Sequence, residues 1–286
     1  MRWKGGRKSG NFEDRRGMSS GGKLALGGIG GIIILVVGLL FGGDPQELLQ
    51  QMQTTDMQQS SGPVETSAEE NELVEFAQVI HTSTGDVWRA VFRSEGLEFR
   101  SDTLVVYWDR TPTDGCGMGA AAYGPFYCPA DEKVYIDLSF NNELKERFGA
   151  TGEFAMAYVL AHEVGHHVQK LTGAMDKVNS MRGRLSEREY NKLTVKLELQ
   201  ADFYAGIWAH HANKMSDVYL EFDDIIEGMK AAEAVGDDRL QMQTQGKVVP
   251  EAFTHGTSEQ RAYWFKKGYD TGDIRQGDTF NDPSLQ

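Results

Sequence analysis

The segment His162-Glu163-Val164-Gly165-His166 contains the residue types of a metal-dependent hydrolase. On a helix, residues four positions apart lie about 40° apart around the axis, so the imidazoles of His162 and His166 can bind one ion. Glu163 lies about 100° from His162, beside the metal but not on it. A carboxylate in that place can take a proton from water that the metal activates, so the segment predicts a zinc hydrolase with Glu163 as general base.

The residue types at 162 and 166 also have an interpretation without metal, in which two helix histidines are satisfied by neighbouring carboxylates. A third ligand distinguishes the two interpretations. The extended zinc motif that requires glycine at 169 and histidine at 172 is excluded, because the chain has Gln169 and Thr172 there. A ligand from another part of the chain is therefore required.

Glu198 and Asp202 lie four residues apart in the next long predicted helix. Glu198 can complete a site of two histidines and one glutamate, with one position left open for water. Asp202 is then placed to accept the free ring N–H of a ligand histidine. Acidic pairs at this spacing are common on solvated helix faces, but the apolar neighbours here predict a buried helix, where a lone carboxylate is costly.

His255 is a further candidate, because it precedes a predicted helix and could donate a hydrogen bond to the oxyanion of the tetrahedral intermediate. A role in ending the loop is an equal alternative. The adjacent histidine of the motif, His167, is expected at the surface or behind the ligands. His210 and His211 are expected to be structural.

Helices must position these residues. Hydrophobic periodicity predicts two helices between Leu73 and Phe92, and capping residues mark the starts of later ones. The later predictions are a helix capped by Thr151 that ends near Leu171, a long helix from the Ser186 capping box to about Asn213, a helix over Ile225 to Gln243, and a last helix capped by Thr257 or Ser258.

Two short apolar segments, Leu104 to Trp108 and Val134 to Leu138, predict strands of a small sheet on either side of a glycine-rich loop. An extended substrate is expected to pair with an edge strand of this sheet above the metal. The two cysteines, Cys116 and Cys128, lie in the connection between the strands. In an oxidising compartment such a pair predicts one disulfide, which would border the substrate groove.

The 18 residues from Leu24 to Phe41 carry no charge and could cross a bilayer as one helix. A cleaved signal peptide is the alternative, but no Ala-x-Ala-like site follows. The first 23 residues carry a net charge of +5, which the positive-inside rule would leave in the cytoplasm, with the rest of the chain outside. The remaining chain carries −18, which argues against nucleic acid as a partner.

The combined motifs resemble a known family, the YpfJ-like bacterial membrane proteins classed as neutral zinc metallopeptidases. The resemblance rests on HEVGHHVQ (162–169), ELQAD (198–202), GPFYCP (124–129), HGTSEQR (255–261) and the opening KGGRKS-x-N-x-EDRRG (4–17). It implies a gluzincin-type site with His162, His166 and Glu198 as zinc ligands and Glu163 as the catalytic residue. The resemblance implies no particular substrate.

We therefore expect an α+β, mostly helical, zincin-like domain with a small sheet, preceded by one transmembrane helix. The expected function is peptide-bond hydrolysis with Zn²⁺, as an endopeptidase rather than an exopeptidase, on peptide or protein substrates. An inactive metal-binding scaffold and a zinc hydrolase of another bond are the alternatives. The expected organisation is a basic cytoplasmic head (1–23), a single-pass helix in the bacterial inner membrane (24–41), a flexible linker (42–70), the extracytoplasmic metallopeptidase domain (71–270) and a loose tail (271–286).

Overall fold

A computed structural model describes residues 1–8, 10–17, 66–120, 124–146 and 153–285. The predicted transmembrane segment 24–41, most of the predicted linker and the predicted helix cap Thr151 lie outside these ranges. Within the described ranges, no helix is long and apolar enough to span a membrane.

Helices make up most of the described chain. They are α1 (Ala68–Ser94), α2 (Phe140–Glu146), α3 (Glu153–Thr172), α4 (Ala174–Ser180), α5 (Glu187–Met215), α6 (Phe222–Ala234), α7 (Asp237–Gln245) and α8 (Ser258–Thr271). Capping boxes with Ser or Thr at the N-cap begin α1 at Ser67, α5 at Ser186 and α8 at Thr257. The expected mostly helical α+β class is confirmed.

Two helix predictions differ from the structure. The two helices expected between Leu73 and Phe92 are one continuous helix, α1, because Gly85 within it causes no break. A helix tolerates an interior glycine at a cost of about 1 kcal/mol. The single helix expected over Ile225 to Gln243 is instead divided at Gly236, whose backbone is extended and precedes the first residue of α7.

The sheet has four strands in the order β1 (Phe12–Asp14), β2 (Thr103–Tyr107), β6 (Lys133–Asp137) and β5 (Phe126–Cys128). The first three are parallel, and β5 pairs antiparallel with β6. Both predicted strands form, as the central pair β2 and β6, so neither lies at an edge. A separate hairpin contains β3 (Arg110–Pro112) and β4 (Met118–Ala120).

The predicted disulfide is present in the structure. It joins Cys116, in the turn of the hairpin, to Cys128, the last residue of β5. The Cα atoms of the two cysteines are 5.9 Å apart. The bond therefore ties the hairpin to an edge of the sheet.

The helix that carries the motif, α3, passes through the middle of the core. Every residue from Phe154 to Gln169 is buried. A helix that is apolar around most of its circumference must be surrounded by other elements, and α1, α5 and α6 pack around α3 together with strand β5. The motif residues are therefore held in the most enclosed part of the domain.

Glycines allow the helices to approach closely at the site. A Cβ atom at Gly165 of α3 would lie 3.1 Å from the carbonyl oxygen of Ala201 in α5. At Gly206 of α5, a Cβ would lie 2.1 Å from the carbonyl oxygen of Phe265 in α8. This close packing places the residues of α5 directly against the motif of α3.

Both ends of the chain pack on this domain. Residues 12–14 add β1 to the sheet, and the Trp3 side chain is buried. At the other end, Thr279 is buried and donates to the carbonyl oxygen of Lys196 in α5. The expectations of a separate basic head and a loose tail do not fit this packing, because these residues contribute a strand and buried side chains to the domain.

Candidate metal centre

Three side chains from two helices meet at one point. His162 and His166 come from successive turns of α3, and Glu198 comes from α5. One donor atom of each residue lies within 4.8 Å of the others. Glu198 Oε2 is 3.2 Å from His162 Nε2 and 3.5 Å from His166 Nε2.

These separations fit a zinc ion. With metal–ligand distances of about 2.0–2.1 Å in tetrahedral geometry, two ligand atoms lie about 3.3 Å apart. Both Nε2–Oε2 distances, 3.2 and 3.5 Å, are close to this value. Two neutral imidazoles and one carboxylate are also a donor set of catalytic zinc sites, which keep a further position open. The side chains present therefore fit the ion that the sequence predicts.

The ring of His162 is held from behind by Asp202. His162 Nδ1 lies 2.8 Å from Asp202 Oδ1, which leaves Nε2 directed at Glu198. The hydroxyl of Tyr158 also donates to Asp202 Oδ1. Arg261 of α8 donates from Nε to Oδ2 at 2.8 Å and from Nη2 to Oδ1 at 2.9 Å. Asp202 is fully buried, and both of its carboxylate oxygens accept hydrogen bonds.

His166 is oriented by an amide instead of a carboxylate. Its Nδ1 lies 2.9 Å from Gln169 Oε1, one turn along α3. Gln169 is itself fixed, because Nε2 donates to the carbonyl oxygen of Leu197 at 2.6 Å and to Gln200 Oε1 at 3.2 Å. Both imidazoles therefore have Nδ1 engaged and Nε2 directed into the site, the arrangement that fixes metal-ligand histidines in proteins.

Glu163 lies beside the donors and is 8% exposed. Burial raises the pKa of its carboxyl group, although the nearby imidazoles and a hydrogen bond from the backbone of Tyr127 oppose this shift. Tyr127 is the central residue of β5. The carboxylate therefore lies between the cluster and the edge strand.

His167 faces away from the cluster and is fully buried, not at the surface. Its Nδ1 lies 2.9 Å from the hydroxyl of Tyr127, and its Nε2 lies 2.6 Å from the carbonyl oxygen of Arg100. It therefore helps to attach α3 to β5. His210 and His211 lie near the backbone oxygens of Tyr269 and Gly272 at the end of α8.

His255 lies in the loop before α8, and its side chain is 48% exposed. Asp237 organises this loop by accepting from the backbone N–H groups of Thr254, His255 and Gly256. Partial burial lowers the pKa of His255, but the hydrogen bond with Asp237 and the charge of Glu198 raise it above the ordinary value. The structure thus brings His255 within electrostatic range of the cluster.

The buried carboxylates around the cluster stabilise positive charge there. Burial alone would lower the pKa of His162, but Asp202 and Glu198 raise it to about 10. Burial would raise the pKa of Glu198, but the charge of His166 and the hydrogen bonds from both imidazoles hold it well below its ordinary value. A site whose carboxylate stays ionised although it is buried is suited to a cation.

Sequence reasoning did not identify several residues that support the site. Arg261 belongs to the HGTSEQR segment and Gln169 to HEVGHHVQ, so the motifs contained them without showing their contacts. Tyr158 lies one turn before His162 on α3, a spacing that could have indicated it. Nothing in the sequence indicated a role for Asp237, because its partner His255 lies in a loop 18 residues away.

The chain matches a protein-family model described as "Putative neutral zinc metallopeptidase" over residues 1–280. It is 46% identical to the "Uncharacterized protein YpfJ" of Escherichia coli over 286 residues, which cover 98% of this chain and 99% of the relative. The "Uncharacterized protein Rv2575" of Mycobacterium tuberculosis is 38% identical over 262 residues, 86% of each chain. No solved structure matches the chain.

Proposed function

Because the chain belongs to this family of neutral zinc metallopeptidases, we propose that it hydrolyses peptide bonds with zinc held by His162, His166 and Glu198. The observation that supports this proposal is the convergence of the three donor atoms within 4.8 Å, beside the carboxylate of Glu163. A zinc ion bound there would polarise the scissile carbonyl and lower the pKa of a water molecule. The residues around the ion would supply the general base, the hydrogen-bond donor to the oxyanion and the groups that orient the ligands.

Glu163 is the proposed general base. It accepts the proton of the attacking water and delivers it to the leaving amine. Its raised pKa supports this role, because a base is most effective when its pKa lies nearer to the working pH. Asp202 and Gln169 hold the ligand imidazoles in place, so the cluster does not have to reorganise during the reaction.

His255 is the proposed donor to the oxyanion. A mobile loop would be a poor place for such a group, but Asp237 fixes the loop through three backbone hydrogen bonds and also contacts His255 Nδ1 at 3.3 Å. The pKa of His255 is raised, so the imidazole carries a proton more readily than a free histidine does. A protonated imidazole stabilises negative charge that develops nearby.

The proposed substrate is an extended peptide laid along β5. Within the described residues β5 pairs only with β6, so its other edge is available for a further strand. The disulfide at Cys128 secures one end of this strand. A peptide that runs along an open strand extends in both directions from the scissile bond, which favours an endopeptidase. Attachment to the membrane through residues 24–41 is also part of the proposal.

The test is cleavage of an unfolded protein by the full-length chain, with Glu163→Gln as the matched variant. Zinc content is measured on the same samples. Loss of cleavage in Glu163→Gln with zinc retained supports the proposal. Zinc binding without cleavage of any peptide by either form would indicate a metal-binding scaffold, and activity confined to another class of ester or amide would indicate a different zinc hydrolase.

A further inference from the structure

A pocket of about 290 Å³ lies beside the loop that carries His255. Phe253 and Thr257, on either side of His255 in the chain, both line it. Another wall is the first half of α5, the helix that supplies Glu198. The volume is at the lower end of the range for small-ligand sites, so the pocket suits one side chain rather than a cofactor. We name it the basic pocket, and the residues that give it its character are Arg188, Lys192 and Lys196 together with the apolar Val195, Phe253 and Leu285.

The three cations of the basic pocket form one stripe on α5. Arg188, Lys192 and Lys196 are spaced four residues apart, so they lie along one side of the helix. Arg188 lies 3.7 Å from Glu251, the one carboxylate among the described lining residues, and Lys196 donates to a backbone carbonyl oxygen at 3.1 Å. Glu189 is one turn before Lys192, but its carboxylate is hydrogen-bonded in the capping box of α5. The pocket is therefore positive in a chain whose net charge is −13.

The basic pocket lies two helical turns from Glu198. Asn191 lines the pocket and is seven residues before Glu198, so it lies on the same face of α5, about 10 Å away along the helix axis. The turn of α5 between them contacts the His255 loop, because a Cβ atom at Gly256 would lie 3.3 Å from Val195 Cγ1. The charge of Glu198 also acts on His255. The loop therefore borders both the basic pocket and the zinc-ligand cluster.

We propose that the basic pocket is a specificity subsite that binds an acidic side chain of the peptide substrate. This inference rests on the proposed zinc peptidase function. An extended peptide advances about 3.3 Å per residue. A peptide whose scissile bond lies at the zinc ligands therefore reaches the pocket, about 10 Å away, with roughly the third residue from that bond.

A glutamate or aspartate side chain matches both kinds of surface in the basic pocket. Its carboxylate accepts charge-assisted hydrogen bonds from the ammonium of Lys192 and the guanidinium of Arg188. Its methylene groups contact the apolar side chains of Val195 and Phe253. A lysine or arginine side chain of a substrate is repelled by the same cations, so the pocket selects against basic residues at this position.

Cleavage of paired peptides by the full-length protein tests the subsite. The two members of a pair carry glutamate or glutamine at one position, about two to four residues from the scissile bond on either side, and are otherwise neutral. We expect glutamate at one of these positions to raise kcat/KM about fivefold over glutamine, the effect of one exposed ion pair at low salt. Equal cleavage of both members at every position would overturn the proposal.

Lys192→Glu is the variant expected to remove the preference, because it puts a carboxylate between the other two cations of the pocket. Lys192 is exposed, so the change leaves the core untouched. Lys230→Glu makes the same change in net charge at an exposed position of α6 outside the pocket, and it is the matched control. We expect the preference for glutamate to be lost in Lys192→Glu and kept in Lys230→Glu. Equal loss in both variants would show a general effect of charge and would overturn the subsite.

Peptide binding separates the subsite from hydrolysis itself. Fluorescent forms of the two peptides are titrated into full-length Glu163→Gln, with and without Lys192→Glu, and anisotropy is measured. We expect the glutamate peptide to bind about fivefold more tightly than the glutamine peptide, and only where Lys192 is present. Equal affinities, or displacement of the glutamate peptide by an equal concentration of free glutarate, would overturn the proposal. Preferential binding without cleavage by the unsubstituted protein would support the subsite and contradict the proposed hydrolysis.

Discussion

Replacement of Arg261 by methionine is expected to weaken both the fold and zinc binding. The guanidinium makes two hydrogen bonds to Asp202, at 2.8 and 2.9 Å, and both side chains are buried. Methionine fills part of the same space but leaves the carboxylate without its cation. Breaking a buried pair in this way costs about 3–5 kcal/mol. Tyr158 and His162 still contact Asp202, so we expect about 3 kcal/mol.

The effect on zinc arises through His162. Loss of a partner that orients a ligand histidine lowers metal affinity about 10- to 100-fold. Arg261 acts on His162 through Asp202, so we expect the lower end, about tenfold. Zinc affinity is measured by competition with a fluorescent chelator at neutral pH, and stability by denaturant unfolding of the metal-free protein.

Two further variants separate charge from geometry. Arg261→Lys keeps the positive charge but loses the planar pair of donors, so we expect an intermediate loss of zinc affinity. In a double-mutant cycle with Asp202→Asn, the combined destabilisation should be smaller than the sum of the two single ones, because the residues share one interaction. Arg261→Met with unchanged stability and zinc affinity would refute the reasoning.

Three other predictions concern the fold. Gly206→Ala should destabilise the protein by about 2 kcal/mol or more, because its Cβ would meet the α8 backbone. Gly85→Ala, whose Cβ would meet only Arg89 Nη2 at 3.9 Å, should stabilise the protein by about 1 kcal/mol. Equal effects of the two changes in thermal unfolding would contradict this. Trp3→Ala should cost about 3 kcal/mol in denaturant unfolding, and an unchanged midpoint would show that the N-terminal segment does not pack on the domain. Burial would raise the pKa of Asp202, but Arg261 and His162 lower it to about 2. The ionised carboxylate therefore contributes roughly 2 kcal/mol to the free energy of unfolding at neutral pH. This contribution is lost as the pH falls from about 4 towards 2. Metal-free Asp202→Asn should lack this component of the acid unfolding curve, and an unchanged curve would argue against it.

The sequence predicted the motif helix, the Ser186 capping box and the two central strands because each depends on local spacing. His162 and His166 must lie on one face of a helix, and Ser186 and Glu189 cap the helix that follows. The resemblance to neutral zinc metallopeptidases, stated from the same residues, is confirmed. The approach of Glu198 to the histidines depends on helix packing, so the sequence indicated it only through the apolar neighbours of Glu198 and through the family resemblance.

Other features depend on contacts between distant parts of the chain and could not be read from spacing. Arg261 reaches Asp202 across 59 residues, and β1 pairs with β2 across about 90. Lys4, Arg7 and Lys8 have the composition of an orientation signal, yet each is paired with a carboxylate of the folded domain. Composition describes the charges but not their partners.

Zinc content after equilibrium dialysis tests the central claim most directly. The samples are the full-length protein, Glu163→Gln and Glu198→Ala, all dialysed together against the same buffered zinc. If the cluster holds the ion, the full-length protein and Glu163→Gln will bind equal amounts of zinc, and Glu198→Ala will bind much less because it has lost a ligand. Equal zinc in all three samples, or equal loss in both variants, would contradict the assignment.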